Sequence, residues 1–262
     1  MDSRPQPVVL SIAGSDSGGG AGIQADLLTI HANGGFPTTA ITCLTAQNPD
    51  GVSGIEVLSA EFIREQIEQV ARYFPIKVIK TGMLFNADII ETVAEYIATV
   101  RDIQVVVDPV MVATSGAVLL EESAVHALRE HLLPKATLLT PNLDEAAVLI
   151  GHKPETVEQM KDAAHAMAKG FQTAILLKGG HLENTDELVD LLAPPDGPCV
   201  AFKNPRIEGI NTHGSGCTLA SAIATHLAHG HSLEAAIQEA LNYLQKGMRH
   251  PSVINGTSFI RH

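Results

Sequence analysis

Gln104-Val105-Val106-Val107-Asp108-Pro109-Val110 runs three β-branched residues into an acid and a proline. A short, wholly apolar run of this kind reads as a strand buried on both faces, as in the parallel sheets of α/β proteins. Pro109 stops it and leaves Asp108 at its carboxyl end. Residues 8–13, 76–80, 137–140 and 174–178 have the same character. Amphipathic patterns fall between these runs, at about 20–33, 60–73, 87–99, 121–132, 143–150 and 156–169, and two more at 216–229 and 233–248 close the chain. Asn86, Asn142 and Ser232 each stand just before a periodic apolar stretch and read as N-caps. The alternation predicts a mainly parallel central sheet with helices on both faces, a three-layer α/β sandwich. Residues 188–192 and 200–203 flank a Pro-Pro-Asp-Gly-Pro turn and predict an antiparallel hairpin at one edge. With no repeat and no dividing linker, one domain over residues 1–262 is expected.

Composition narrows the function. With aromatics at 4% and no Trp, the chain lacks the makings of a base-stacking platform. A net charge of −12 argues further against a nucleic-acid partner, so an anionic substrate must be captured by local donors. Cys43, Cys199 and Cys217 are odd in number, far apart and without a C-x-x-C motif, which predicts a reducing, cytoplasmic compartment. The first seven residues contain no apolar targeting core, and no apolar run approaches a membrane span of about 20 residues. No membrane partner is expected.

In a sheet of this type ligands collect at the carboxyl ends of the strands. Gly14-Ser15-Asp16, Lys80-Thr81-Gly82-Met83, Asp108-Pro109, Thr140-Pro141-Asn142 and Lys178-Gly179-Gly180-His181 all fall there. Asn211-Thr212-His213-Gly214-Ser215-Gly216-Cys217-Thr218 leads into an apolar helix. Its two glycines allow a tight turn that points several amides at one spot, where a helix N-terminus favours an anion. Cys217 stands at the lip of that cradle, and a helix start is expected to lower its thiol pKa below the free value of about 8.5. A phosphate cradle beside a base points to phosphoryl transfer onto a hydroxyl.

The other candidates have plainer readings beside them. The glycine-rich segment 14–22 has no Gly-Lys-Ser/Thr of a Walker A loop. Its Gly20-x-Gly22-x-x-Ala25 matches a dinucleotide fingerprint only loosely, lacking the acid at the end of a second strand. Asp26 either accepts hydrogen bonds from a ligand or serves as a first-turn acid. Asp108 and Glu145 are candidate Mg²⁺ ligands, although Glu145 also suits the dipole of its helix. Lys178 at the end of a buried strand reads as a phosphate contact. The Gln47 amide suits a heterocycle, or a turn. His226, His229 and His231 lie close together without an HExxH or a nearby carboxylate, and read as incidental. His213 borders the anion loop without an assigned role.

Together, the segments 14–26, 45–48, 80–84, 108–113, 140–146, 177–181 and 212–218 resemble, in order, the hydroxymethylpyrimidine and phosphomethylpyrimidine kinases of thiamine biosynthesis, within the ribokinase-like superfamily. The resemblance implies a ribokinase-like sandwich and an ATP- and Mg²⁺-dependent kinase acting on 4-amino-5-hydroxymethyl-2-methylpyrimidine and then on its monophosphate. It implies a pyrimidine near Gly14, Asp26, Gln47, Met83 and Val110, with Gln47 and Asp26 reading its ring nitrogen and amino edge. It places Mg²⁺ at Asp108 and Glu145, and ATP at Asn142, Lys178 and Thr212. The amides of Gly214, Ser215, Gly216 and Cys217 become the anion hole and Cys217 the base. A homodimer is implied as well. Relatives often carry Lys and Asp near positions 114 and 117, where this chain has Thr114 and Ala117, and Thr at the place of Ser215. The rival readings are a pyridoxal kinase, a silent pyrimidine-binding protein of the same fold and, more remotely, a dinucleotide-dependent oxidoreductase.

Overall fold

The computed structural model describes residues 5–111, 120–180 and 187–262. The segment after Met111 that holds Thr114 and Ala117, and His181, lie outside the described residues. The expected apolar runs form β1 (Val8–Asp16), β4 (Ile76–Thr81), β5 (Gln104–Val107), β6 (Leu138–Leu139) and β7 (Ala174–Leu177). β2 (Phe36–Asn48) and β3 (Gly51–Val57) lie to one side of them, and β8 (Glu187–Ala193) and β9 (Val200–Pro205) form the expected hairpin on the other. The nine strands lie in the order β3-β2-β1-β4-β5-β6-β7-β8-β9. β2 through β7 in that order run parallel, while β3 pairs antiparallel with β2, and β8 with β7.

Alternate residues of the strands feed two cores. Val105 and Val107 face the layer of α2 (Ala60–Tyr73), α3 (Ala87–Thr99), α4 (Glu122–Ala127), α5 (Leu143–Ile150) and α6 (Val157–Phe171). Val106 faces α1 (Gly22–Ala32), α7 (Ser215–Ala228) and α8 (Leu233–Arg249). Each fully buried Val, Leu or Ile contributes about 1.5–3 kcal/mol, so both faces of the central strands stabilise the sheet. This is the three-layer ribokinase-like sandwich that the resemblance implies. Chain order reverses at β1, whose neighbours are β2 and β4, and loops leaving β1 and β4 diverge there to open a crevice.

The expected N-caps form: Asn86, Asn142 and Ser232 accept the amides of Ile89, Glu145 and Ala235. Three differences from the sequence reading have local causes. β2 is Thr-rich and only half buried, so it shows no continuous apolar run, and β3 is an exposed edge. The helix expected over 121–132 is α4 followed by a π turn (Leu128–Leu132) and a 3-10 turn (Leu133–Lys135) that contains Pro134. A small antiparallel pair, β10 (Ser252–Ile254) and β11 (Thr257–Phe259), follows α8. No described helix is long and apolar enough to cross a membrane.

Candidate active site

The start of α7 is built from backbone. Gly214, its N-cap, has φ +80°, and no side chain caps the helix. A Cβ on Gly214 would lie 1.8 Å from the carbonyl oxygen of Gly20, so the anion loop and the glycine-rich loop after β1 touch backbone to backbone. Among the described residues the amides of Gly214, Gly216 and Cys217 carry no hydrogen bond, and they remain available to an anion. Ser215 departs from expectation: its amide turns back to the carbonyl of Thr212, 3.0 Å away, and is not a free donor. A Cβ on Gly216 would lie 3.2 Å from Lys178 Nζ and 3.5 Å from a carboxylate oxygen of Asp108. Glycine at this position therefore brings the helix start against the cation and the acid.

Lys178 Nζ lies 3.2 Å from Asp108 Oδ1, and Thr140 donates to the same oxygen from 3.3 Å. Asn142 and Glu145 form a capping box, in which each side chain accepts the other's amide at 2.8 Å. Burial, with Asp108 nearby, pushes the Glu145 carboxyl up to about 7 against the pull of Lys178. Burial alone would lower Lys178, but Asp108 and Glu145 outweigh it and hold the ammonium charged. Among the described residues no three His, Cys, Asp or Glu side chains gather as a complete metal cage. Two buried acids beside the uncapped start of α7 nevertheless fit Mg²⁺, which takes one or two carboxylates and fills its other positions with water and phosphate oxygens.

Lys178 has a support that the sequence reading missed. Asp190 on β8 accepts the Gly179 amide at 2.9 Å and is almost fully buried. A Cβ on Gly179 would lie 2.0 Å from the Val189 carbonyl oxygen, so β8 grips the backbone just past Lys178. Burial lifts the Asp190 carboxyl to about 6, although the Gly179 hydrogen bond and the Lys178 charge oppose the rise. An acid inside the apolar run Leu188-Val189-Asp190-Leu191-Leu192 was the one available signal.

On the other side of the anion loop, Gly14 stands where a Cβ would meet Cys43 Sγ at 2.8 Å and Met83 Cε at 3.0 Å. Thr42 fixes the Met83 carbonyl at 2.7 Å. Gln47 is held through its backbone by the Ser17 hydroxyl, which donates to its carbonyl and accepts its amide. Its side chain lies between Thr45 and His213. Val110 lines a small cavity with Thr81, Gly82, Asp108 and Leu120.

Two expectations are corrected. Asp26 is not a free reader of a ligand edge. It is fully buried in an ion pair with Lys80, and Ser11 and Ser221 donate to its two oxygens at 2.6 and 2.7 Å. Burial would lower Lys80, but the Asp26 charge wins and raises it. The first-turn reading of Asp26 fails equally. The expected lowering of the Cys217 thiol is also reversed: loss of hydration, with Asp26 and Asp108 close by, pushes it up to about 12 against Lys80. In this site crowding outweighs the helix start.

A family model described as phosphomethylpyrimidine kinase matches residues 16–259. The chain belongs to the phosphomethylpyrimidine kinase family. The thiamine biosynthesis bifunctional protein ThiED of Geobacter sulfurreducens is 47% identical over 94% of this family member, which spans 50% of that protein. The chain thus covers about half the length of the bifunctional relatives and about nine tenths of those named hydroxymethylpyrimidine/phosphomethylpyrimidine kinase. The crystal structure of phosphomethylpyrimidine kinase from Clostridium difficile 630 matches with a TM-score of 0.81 at 36% identity, covering 92% of this chain and 99% of that one. An ADP complex of Bacillus subtilis pyridoxal kinase gives 0.88 at 33% identity, covering 98% of each chain. In this member of the family Lys178, Asp108, Glu145 and the start of α7 come together, with Gly14, Met83 and Gln47 grouped on the β1 side of the anion loop.

Proposed function

We propose that this chain phosphorylates the hydroxymethyl group of 4-amino-5-hydroxymethyl-2-methylpyrimidine with ATP, and then the resulting monophosphate to the diphosphate, as a step of thiamine biosynthesis. The observation that carries this reading is the approach of Lys178 and Asp108 to Gly216 at an uncapped helix start. Phosphoryl transfer needs positioning and charge neutralisation more than covalent chemistry, and this arrangement supplies both. Lys178, Asn142 and Thr212 hold the ATP phosphates. The amides of Gly214, Gly216 and Cys217 receive the charge that develops on the transferring group. Asp108 and Glu145 would hold Mg²⁺, which supplies neutralisation of phosphate charge when bound. Gly14, Met83 and Val110 shape the pocket for the ring, and Gln47 reads its polar edge. Cys217 receives the hydroxyl proton only as the thiolate; because its thiol is held protonated in the free site, its own proton must first leave to solvent, a loss that the neighbouring Lys80 charge favours.

A homodimer in the cytoplasm completes the reading. Leu44, Val52 and Ile55 are large apolar side chains left exposed on the β2–β3 edge, a surface suited to a second copy. Cys43, Cys199 and Cys217 are all free thiols, in keeping with a reducing compartment.

The fit to a pyridoxal kinase favours one rival, phosphorylation of pyridoxal. Mass spectrometry of products formed from Mg-ATP with the pyrimidine alcohol, and separately with pyridoxal, decides between them. Mono- and diphosphate from the pyrimidine are expected. Pyridoxal phosphate alone would transfer the assignment to pyridoxal, and no product in either tube would leave a silent binder.

A further inference from the structure

The hydrogens around Gln47 do not balance in one of its two amide orientations. Asp16 accepts the Gly18 amide at 2.8 Å on one oxygen and the Ala21 amide at 2.9 Å on the other. That second oxygen also lies 2.9 Å from His213 Nε2. Burial would raise the Asp16 carboxyl, but His213 and the two amides outweigh it, so Asp16 is ionised and can only accept. His213 Nε2 must therefore carry a hydrogen aimed at Asp16. The same Nε2 lies 3.2 Å from Gln47 Nε2, which places two donors face to face.

A second conflict stands at the other end of the amide. The Thr45 hydroxyl has one hydrogen and two acceptors in reach: the Ser15 carbonyl at 2.9 Å and Gln47 Oε1 at 3.1 Å. When the hydrogen goes to the shorter bond, two lone-pair-bearing oxygens face each other. One half-turn of the Gln47 amide resolves both conflicts, since amide nitrogen and oxygen exchange places without moving the side chain. Oε1 then accepts from His213 Nε2–H, shared with Asp16, and Nε2 donates to Thr45.

We infer that His213, braced by Asp16, acts with Thr45 to lock the Gln47 amide in that one orientation and thereby sets which ring edge the pocket accepts. His213 is a positioning residue for specificity. The lock leaves one amide hydrogen and one oxygen lone pair for a ligand, in a fixed order. An aminopyrimidine offers a ring nitrogen that accepts and an exocyclic amine that donates. Its oxo counterpart offers a carbonyl that accepts and a ring N–H that donates, in reversed order. In a single pose the two demand opposite amide orientations, as amides that read base edges do. A free amide would turn to suit either. A locked one rejects the wrong edge, because buried polar groups are left unpaired. His213 also sits between the ring pocket and Gly214, and a Cβ on Gly20 would meet its ring at 2.9 Å.

The inference rests on the pyrimidine-kinase reading above and can fail without it. The experiment measures kcat/KM for 4-amino-5-hydroxymethyl-2-methylpyrimidine and for its 4-oxo analogue in the unmodified protein, His213→Phe, His213→Gln and Thr45→Val. The unmodified protein should prefer the amino compound. His213→Phe and Thr45→Val should each reduce that preference by about tenfold or more. His213→Gln, which restores a planar N–H donor of similar reach, should recover most of it. Thr45→Val lies away from the anion loop and keeps the test decisive even where a substitution at His213 disturbs Gly214. An unchanged amino-to-oxo ratio, with both substrates slowed alike, overturns the lock and leaves His213 a structural part of its loop. An unmodified protein inert toward both pyrimidines overturns the kinase reading and this inference together.

Discussion

Asp26 and Lys80 form an ion pair with no exposed side-chain surface: Nζ lies 2.8 Å from one carboxylate oxygen and 2.9 Å from the other. Ser11 on β1 and Ser221 on α7 complete the shell, so four elements meet at one carboxylate. Ser221 is one helical turn beyond Cys217, and the pair therefore fixes the helix whose first turn forms the anion hole.

Breaking this pair should cost far more than removing it. Asp26→Asn leaves a buried ammonium without its counter-charge, and such a loss is worth about 3–5 kcal/mol. Asp26→Asn combined with Lys80→Met removes both charges, keeps an oxygen for the serines, and should recover most of that stability. Urea denaturation of both variants measures the contrast. Equal midpoints for Asp26→Asn and the unmodified protein would show that the pair does not bear on folding.

Cys217→Ala should lower kcat by about a hundredfold or more, the usual contribution of a positioned proton acceptor, while pyrimidine affinity changes little. Steady-state kinetics and equilibrium binding of the pyrimidine alcohol separate the two effects. Turnover within a few-fold of normal would reduce the thiol to a wall of the pocket.

Asp190→Asn keeps an acceptor for the Gly179 amide and removes a buried charge. The folded carboxyl, at about 6, lies above the ordinary aspartate value of 3.8. Its favourable contribution is therefore complete below about 4 and is lost as pH rises through 6. The variant should match the unmodified protein near pH 4 and be the more stable one above pH 7, by no more than about 3 kcal/mol. Denaturation midpoints across that range test the sign, and a difference that shrinks toward neutral pH would contradict it.

Sequence made the sheet legible where strands are buried on both faces. Leu176 and Leu177 point to opposite cores, and so both had to be apolar. β2 escaped because it lies one strand in from the exposed edge strand β3, where Leu44 stays exposed and threonines are admitted. At the site, Gly214, Gly216 and Lys178 could be recognised because backbone freedom and a charge at a strand end are local signals. Asp26 could not be placed, since its partner lies 54 residues away and only folding brings the two together. The same holds for His213, which meets Gln47 across 166 residues. Sequence proximity likewise misled at Cys217, where the helix start is local but Asp26, Asp108 and the crowding around the thiol are not.

Gly214→Ala tests whether the two glycine loops work as one unit. Two penalties fall on this substitution. The backbone φ of +80° disfavours any L side chain, which costs about 1–2 kcal/mol. The added methyl would also stand 1.8 Å from the Gly20 carbonyl oxygen, so one loop must retreat from the other. Gly209 separates the two effects: its φ is +72°, and a Cβ there meets nothing within 4 Å. Gly209→Ala should therefore lose stability from backbone strain alone and keep its kinetics. Gly214→Ala should lose comparable stability or more and raise KM for both ATP and the pyrimidine, because Gly20 carries the ring-side loop with it. Parallel kinetics on the two variants decide the matter. A rise confined to ATP would mean that the anion loop moves by itself, and that contact with Gly20 does not couple the two halves of the site.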